Sequence, residues 1–161
     1  MILKLLSKKF YISFSIVALI YFLDRLSKIY VIQLDKNNLG SDIFNSTYLN
    51  IVLIWNKGIA FGLLSFNEAY LYNILSIIIL IIIIILVLMS INSKGFKRYS
   101  FLMILGGALG NLHDRIIFNA VPDFIDFHIG NFHWFIFNVA DIFITMGVFL
   151  LIMLEFKYNK N

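Results

Sequence analysis

GGALGNLHDRIIFNAVPDFIDFHIGNFHWFIFNVAD, residues 106–141, decides how the rest of the chain is read. It holds four of the nine acidic residues (Asp114, Asp123, Asp126 and Asp141), Arg115 and all three histidines, between two strongly apolar segments. Carboxylates set that deep in an apolar chain are costly unless they find partners or act on something.

The rest of the composition names the solvent. Of 161 residues 61% are apolar and 14% charged, with a mean hydropathy of +0.90, whereas a soluble domain carries about 25% charged residues. That balance belongs in a membrane. One proline, nine glycines and no internal repeat leave a single domain over residues 1–161. The absence of cysteine excludes disulfides, thiolate catalysis and Cys-ligated zinc or iron–sulfur centres.

Four apolar stretches are long enough to cross. Residues 10–33 follow a basic start, but no small-x-small cleavage site follows them, so they read as a retained helix. Residues 71–89 carry no charge, and their β-branched bias yields to the need of a lipid-embedded backbone to pair with itself. Residues 99–118 and 135–156 complete the set. At about 1.5 Å per residue, each spans most or all of a ~30 Å hydrocarbon layer. Between the first two, FNSTYLNIVLIWN (44–56) reads as one or two strands outside the bilayer core. GIAFGLLSF (58–66) suits a surface-lying or re-entrant segment.

Eight of the thirteen lysines and arginines fall at the N-terminus, at the C-terminus and in the loop of Lys94, Lys97 and Arg98. By the positive-inside rule both termini are cytoplasmic, and residues 34–67 and 119–134 lie outside. The net charge of +4 is thus a topology signal and calls for no nucleic acid.

On this topology Asp24 and Lys28 lie roughly 21 and 27 Å along span one, and Asn111 to Arg115 roughly 18–24 Å along span three. Asp141 sits about 9 Å below the start of span four. With Asp123 and Asp126 in the outer loop, three segments deliver polar groups to one level near the outer leaflet. Asp24 and Lys28 have the spacing of an intrahelical ion pair, although contact with a substrate or headgroup is the other reading. Gly106 and Gly110 fit small-xxx-small helix packing, and Arg115 suits ordering a loop or a carboxylate.

Other chemistries fit less well. Ser27 and Lys28 are adjacent, so on a helix they point apart and form no catalytic pair. His113, His128 and His133 lack an HExxH motif, and His128 and His133 are five apart in an expected loop, so no metal is expected. Two close carboxyls, by contrast, share a proton; the ionised one activates water while the protonated one polarises a carbonyl. Asp141 is one of them, with Asn138 available to hydrogen-bond to it or to a substrate. Spacing alone leaves Asp123 and Asp126 open for the other.

Five motifs in order resemble the lipoprotein signal peptidases, the type II signal peptidases of bacterial inner membranes. They are D-x-x-S-K at 24–28, N-x-G-x-A-F-G at 56–62, G-G-x-x-G-N-x-x-D-R at 106–115, D-F at 123–124 and F-N-x-A-D at 137–141. The resemblance implies four transmembrane helices, an outer-face β-cradle and a short surface helix. It implies an aspartic endopeptidase with no cofactor, acting near the outer leaflet. The substrates implied are prolipoproteins whose cysteine carries diacylglycerol, met with membrane lipid, and the cut falls before that cysteine. It maps the catalytic aspartates onto Asp123 and Asp141, and substrate-positioning or pocket-shaping roles onto Asp24, Lys28, Asn56, Gly58, Asn111, Arg115 and Asn138. Pro122 departs from the small β-branched residue expected before Asp123. The competing readings are a proton carrier, which would want carboxylates spread through the membrane thickness, and a structural subunit. Both predict unchanged prolipoprotein processing when the chain is lost.

Overall fold

The computed structural model describes residues 2–37, 43–58 and 69–158. It is mostly helical: α1 (Ile2–Asn37), α2 (Ala69–Asn92), α3 (Gly95–Phe118) and α4 (Val139–Tyr158). A small sheet lies between them in sequence, made of β1 (Phe44–Asn45), β2 (Leu49–Asn56), β3 (Val121–Ile129) and β4 (Phe132–Phe137). All its neighbours are antiparallel, in the order β1-β2-β3-β4. The segment 59–66, expected to lie on the surface, falls outside the described residues.

Among the described residues, three helices are long and apolar enough to cross a membrane: Tyr72–Asn92, Gly95–Phe118 and Val139–Lys157. Helix α1 is longer, but Asp24, Arg25 and Lys28 interrupt its apolar run. Helix α3 is the centre, with 61% of its apolar window buried against 17% for α2 and α4, and it packs on all three others. Ile83 and Leu86 of α2 meet Phe101, Leu105 and Leu112 of α3 in the core. On the outer side of α2, Ile77, Ile81, Ile84 and Leu88 stand exposed, a face that suits lipid.

Glycine sets how closely the polar helices approach. Gly106 and Gly110 both face α1, where added Cβ atoms would strike Ile20 and Asp24. Gly107 faces α4, and a Cβ there would come 2.5 Å from the carbonyl of Ala140. The small-xxx-small reading therefore holds for α1, with Gly107 serving α4.

Two expectations need correcting. Residues 119–134 do not form a loop: Asn119 closes α3 in the left-handed region (φ 52°), donating its N–H to the Arg115 carbonyl at 3.2 Å, and β3 then starts at Val121. Asparagine tolerates that conformation better than most residues. Pro122 lies inside this strand, opposite Trp55. The last helix does not begin at Phe135 either: Phe135–Phe137 belong to β4, and α4 begins at Val139. An apolar run alone cannot separate a buried strand from the start of a helix.

Candidate active site

Asp141 is held by the way α4 begins. Asn138 is the N-cap, its Oδ1 accepting the Asp141 N–H at 3.1 Å. Asp141 Oδ2 in turn accepts the Asn138 backbone N–H at 3.2 Å. This is a capping box with asparagine at the cap and aspartate at the third helical position. It uses the side-chain oxygen and the backbone N–H of Asn138 and leaves the side-chain amide nitrogen to point elsewhere. That nitrogen donates to Asp123 Oδ1 at 2.6 Å. One fully buried residue therefore touches both carboxyl groups, that of Asp141 through its backbone N–H and that of Asp123 through its side-chain amide.

Asp123 reaches this point from the sheet. Its second oxygen accepts from Asn56 Nδ2 at 2.8 Å, and Asn56 Oδ1 accepts the Gly58 N–H at 2.8 Å. Between Ile51 and Ile54 the register of β2 slips against β3 just before Ile54 pairs with Asp123. Bulges of this kind re-aim side chains beside functional sites. Burial, and after it the charge of Asp141, push the Asp123 carboxyl up to about 6, against the opposing hydrogen bonds of Asn56 and Asn138 and the charge of Lys28.

Behind Asp141 stands an ionic cluster. Lys28, fully buried, donates hydrogen bonds to Asp24 Oδ2 (2.8 Å) and Asn111 Oδ1 (2.9 Å) and forms an ion pair with Asp114 Oδ2 (2.7 Å). Because Lys28 claims the oxygen of Asn111, the amide nitrogen faces Asp141 Oδ1, at 2.9 Å. Asp24 also accepts the Ala140 N–H at 2.9 Å, tying α1 to the first turn of α4. Arg25 pairs with Asp114, so the cluster sets two acids against two bases. Arg115 donates to the carbonyls of Asn111 (3.2 Å) and Gly58 (3.0 Å), drawing the chain after β2 onto α3.

The structure thus joins Asp24, Lys28, Asn56, Gly58, Asn111, Arg115, Asp123, Asn138 and Asp141 in one network. Asp126 is not in it. Three residues beyond Asp123 on a strand, it points to the other sheet face, where it meets Asn50 and His133. Sequence reading gave no role to Arg25 or Asp114. Their signal was charge balance: Arg25 precedes Lys28 by three on α1, and Asp114 follows Asn111 by three on α3, each on its partner's helix face.

The family model described as signal peptidase (SPase) II matches residues 16–157. The chain belongs to the signal peptidase II family. The lipoprotein signal peptidase of Pelagibacter ubique is 47% identical over 98% of this chain and 95% of its own length. That of Anaplasma phagocytophilum is 41% identical over 86% of this chain and 88% of its own. A solved bacterial membrane enzyme superposes with a TM-score of 0.75 at 32% identity, covering 90% of this chain and 87% of its own. This signal peptidase II is therefore a membrane protease of aspartic type that removes signal peptides from prolipoproteins.

Proposed function

We propose that Asp123 and Asp141 are the catalytic pair of this peptidase. The observation that carries the reading is Asn138, whose backbone and side chain touch both carboxyls at once. With one proton between them, the ionised carboxylate takes a proton from water as its oxygen attacks the scissile carbonyl carbon. The protonated partner gives its proton to the carbonyl oxygen. Collapse of the tetrahedral diol breaks the C–N bond and passes a proton to the leaving nitrogen.

The other network residues hold this pair or the peptide. Asn111 and Lys28 fix Asp141 from behind, with Asp24 tying Lys28 to α4. Asn56 fixes Asp123, while Arg115 and Gly58 shape the wall leading to it. In this reading residues 1–161 form one domain with four spans, near 10–33, 71–89, 99–118 and 139–156, in the bacterial inner membrane. Both termini are cytoplasmic, as the basic residues favour, and the pair sits near the outer leaflet. The substrate carries diacylglyceryl-cysteine, so its acyl chains and the surrounding lipid set the depth of the scissile bond, and the cut falls before that cysteine. Nucleic acid has no part in it, and the hydrolysis needs no cofactor.

The test is incubation of purified, reconstituted protein with a diacylglyceryl-modified prolipoprotein and its unmodified form. Cleavage of the modified form with little of the other is expected. Equal rates would overturn the lipid-set depth while leaving the aspartic chemistry standing.

A further inference from the structure

Asp126, His128 and His133 gather on the sheet face opposite Asp123. Asp126 and His128 are two apart on β3 and so share a face. His128 pairs directly with His133 across the hairpin, and the slip between Asp126 and His128 is what makes this so. Without the extra residue in β4, Trp134 would stand opposite His128. Gly130, at φ 57°, supplies the left-handed first position of the two-residue turn that keeps this pairing tight. Five residues of separation, unpromising in a loop, are thus brought face to face.

The three side chains each aim a ligand atom at one place, all within 4.8 Å of one another. The imidazoles stack with centroids 5.0 Å apart, and His133 Nδ1 lies 2.8 Å from Asp126 Oδ2. Asn50, paired with Asp126 across β2, donates to the same oxygen at 3.3 Å, as groups around a metal ligand commonly do. Among the described residues, two buried atoms of the cluster find no partner: Asp126 Oδ1, on a residue only 3% exposed, and His128 Nδ1. A buried carboxylate oxygen and a buried imidazole nitrogen left without partners in one cluster are costly unless something binds them.

We propose that Asp126, His128 and His133 form a binding site for one divalent transition-metal ion of the zinc class. Two imidazoles and one carboxylate suit zinc and are poor hosts for magnesium or calcium. Ligand atoms on a tetrahedral zinc stand about 3.3 Å apart. A small turn of His133, half exposed at 51%, closes the present spread and leaves a fourth position open to water. The ion pins the tip of the β3–β4 hairpin from the face turned away from Asp123, and takes no part in peptide hydrolysis.

The test uses full-length, tag-free protein in detergent, stripped by chelator and titrated calorimetrically with Zn²⁺ alone. One zinc per chain is expected. Asp126→Asn, His128→Gln and His133→Gln should each weaken it by at least about tenfold, while His113→Gln leaves it unchanged. Retained prolipoprotein cleavage shows that the variants are folded. X-ray absorption on zinc-loaded wild type gives an answer independent of any variant, with two imidazoles in the coordination shell expected. Absence of zinc binding, binding by the three variants as tight as by wild type, or fewer than two imidazoles would each overturn the site.

Discussion

Asp123 is a carboxyl that the fold prefers protonated. Its ordinary value of 3.8 is raised to about 6 by burial and by Asp141. The folded state therefore binds the proton more tightly than the unfolded chain does. The stabilisation this gives is complete below about pH 4 and is lost as pH rises through about 6, amounting to roughly 3 kcal/mol at most. Thermal unfolding of wild type beside Asp123→Asn, scanned between pH 4 and 8, should show the two curves diverging as pH rises, with wild type the loser. Parallel curves would mean that Asp123 titrates as in water. Asp126→Asn should retain most of its cleavage activity, since Asp126 touches neither Asn138 nor Asp141; a dead variant in a steady-state cleavage assay would contradict that separation. At this scale much was legible from residue types and spacing: the Asp24–Lys28 pair and the Asn138–Asp141 contact are both present, and Arg115 donates to the Gly58 carbonyl. The choice between Asp123 and Asp126 could not be read from spacing, because it depends on strand alternation within a segment that looked like a loop.

Helix α4 begins where its capping box is, and that one element both starts the helix and positions the carboxyls. The N-x-x-D pattern before an apolar run was the available signal for a start at Val139, and aromatic hydrophobicity at 135–137 masked it. Capping and carboxyl bridging can be separated by substitution. Serine also caps well but is too short to reach Asp123, so Asn138→Ser should be more stable than Asn138→Ala by about 1 kcal/mol. Both should cleave at least about tenfold more slowly than wild type, which costs about 1.4 kcal/mol in barrier. Equal activity of Asn138→Ser and wild type would remove Asn138 from the positioning of Asp123. A second test lies at the α3–α4 contact. Gly107→Ala places a methyl against the Ala140 carbonyl and Ile144, one residue from Asp141. Overpacking of this kind costs about 1–3 kcal/mol, and the displacement of α4 should lower both melting temperature and turnover. Unchanged turnover would mean that the helices can part without moving the carboxyl.

Taken whole, the molecule is an apolar bundle around α3 with a polar network running from α1 through α3 to the start of α4, and a four-stranded sheet bringing in the last carboxyl. The bundle was legible because lipid simplifies the code: long apolar runs must be helices, and charged residues inside them must meet one another. The sheet was half legible, because FNSTYLNIVLIWN shows its β-branched bias while its partner strands carry aspartates, histidines and Pro122. In the proposed mechanism water cuts the peptide bond between Asp123 and Asp141, so the pair should fail as a unit. The most direct measurement is the single-turnover cleavage rate of a diacylglyceryl-modified prolipoprotein by reconstituted wild type, Asp123→Asn, Asp141→Asn and the double variant, each checked for folding. Both single variants should lose essentially all cleavage, and the double variant should be scarcely worse than either. Substantial cleavage by Asp123→Asn or Asp141→Asn, or losses that multiply in the double variant, would contradict the assignment of these two residues as one catalytic pair.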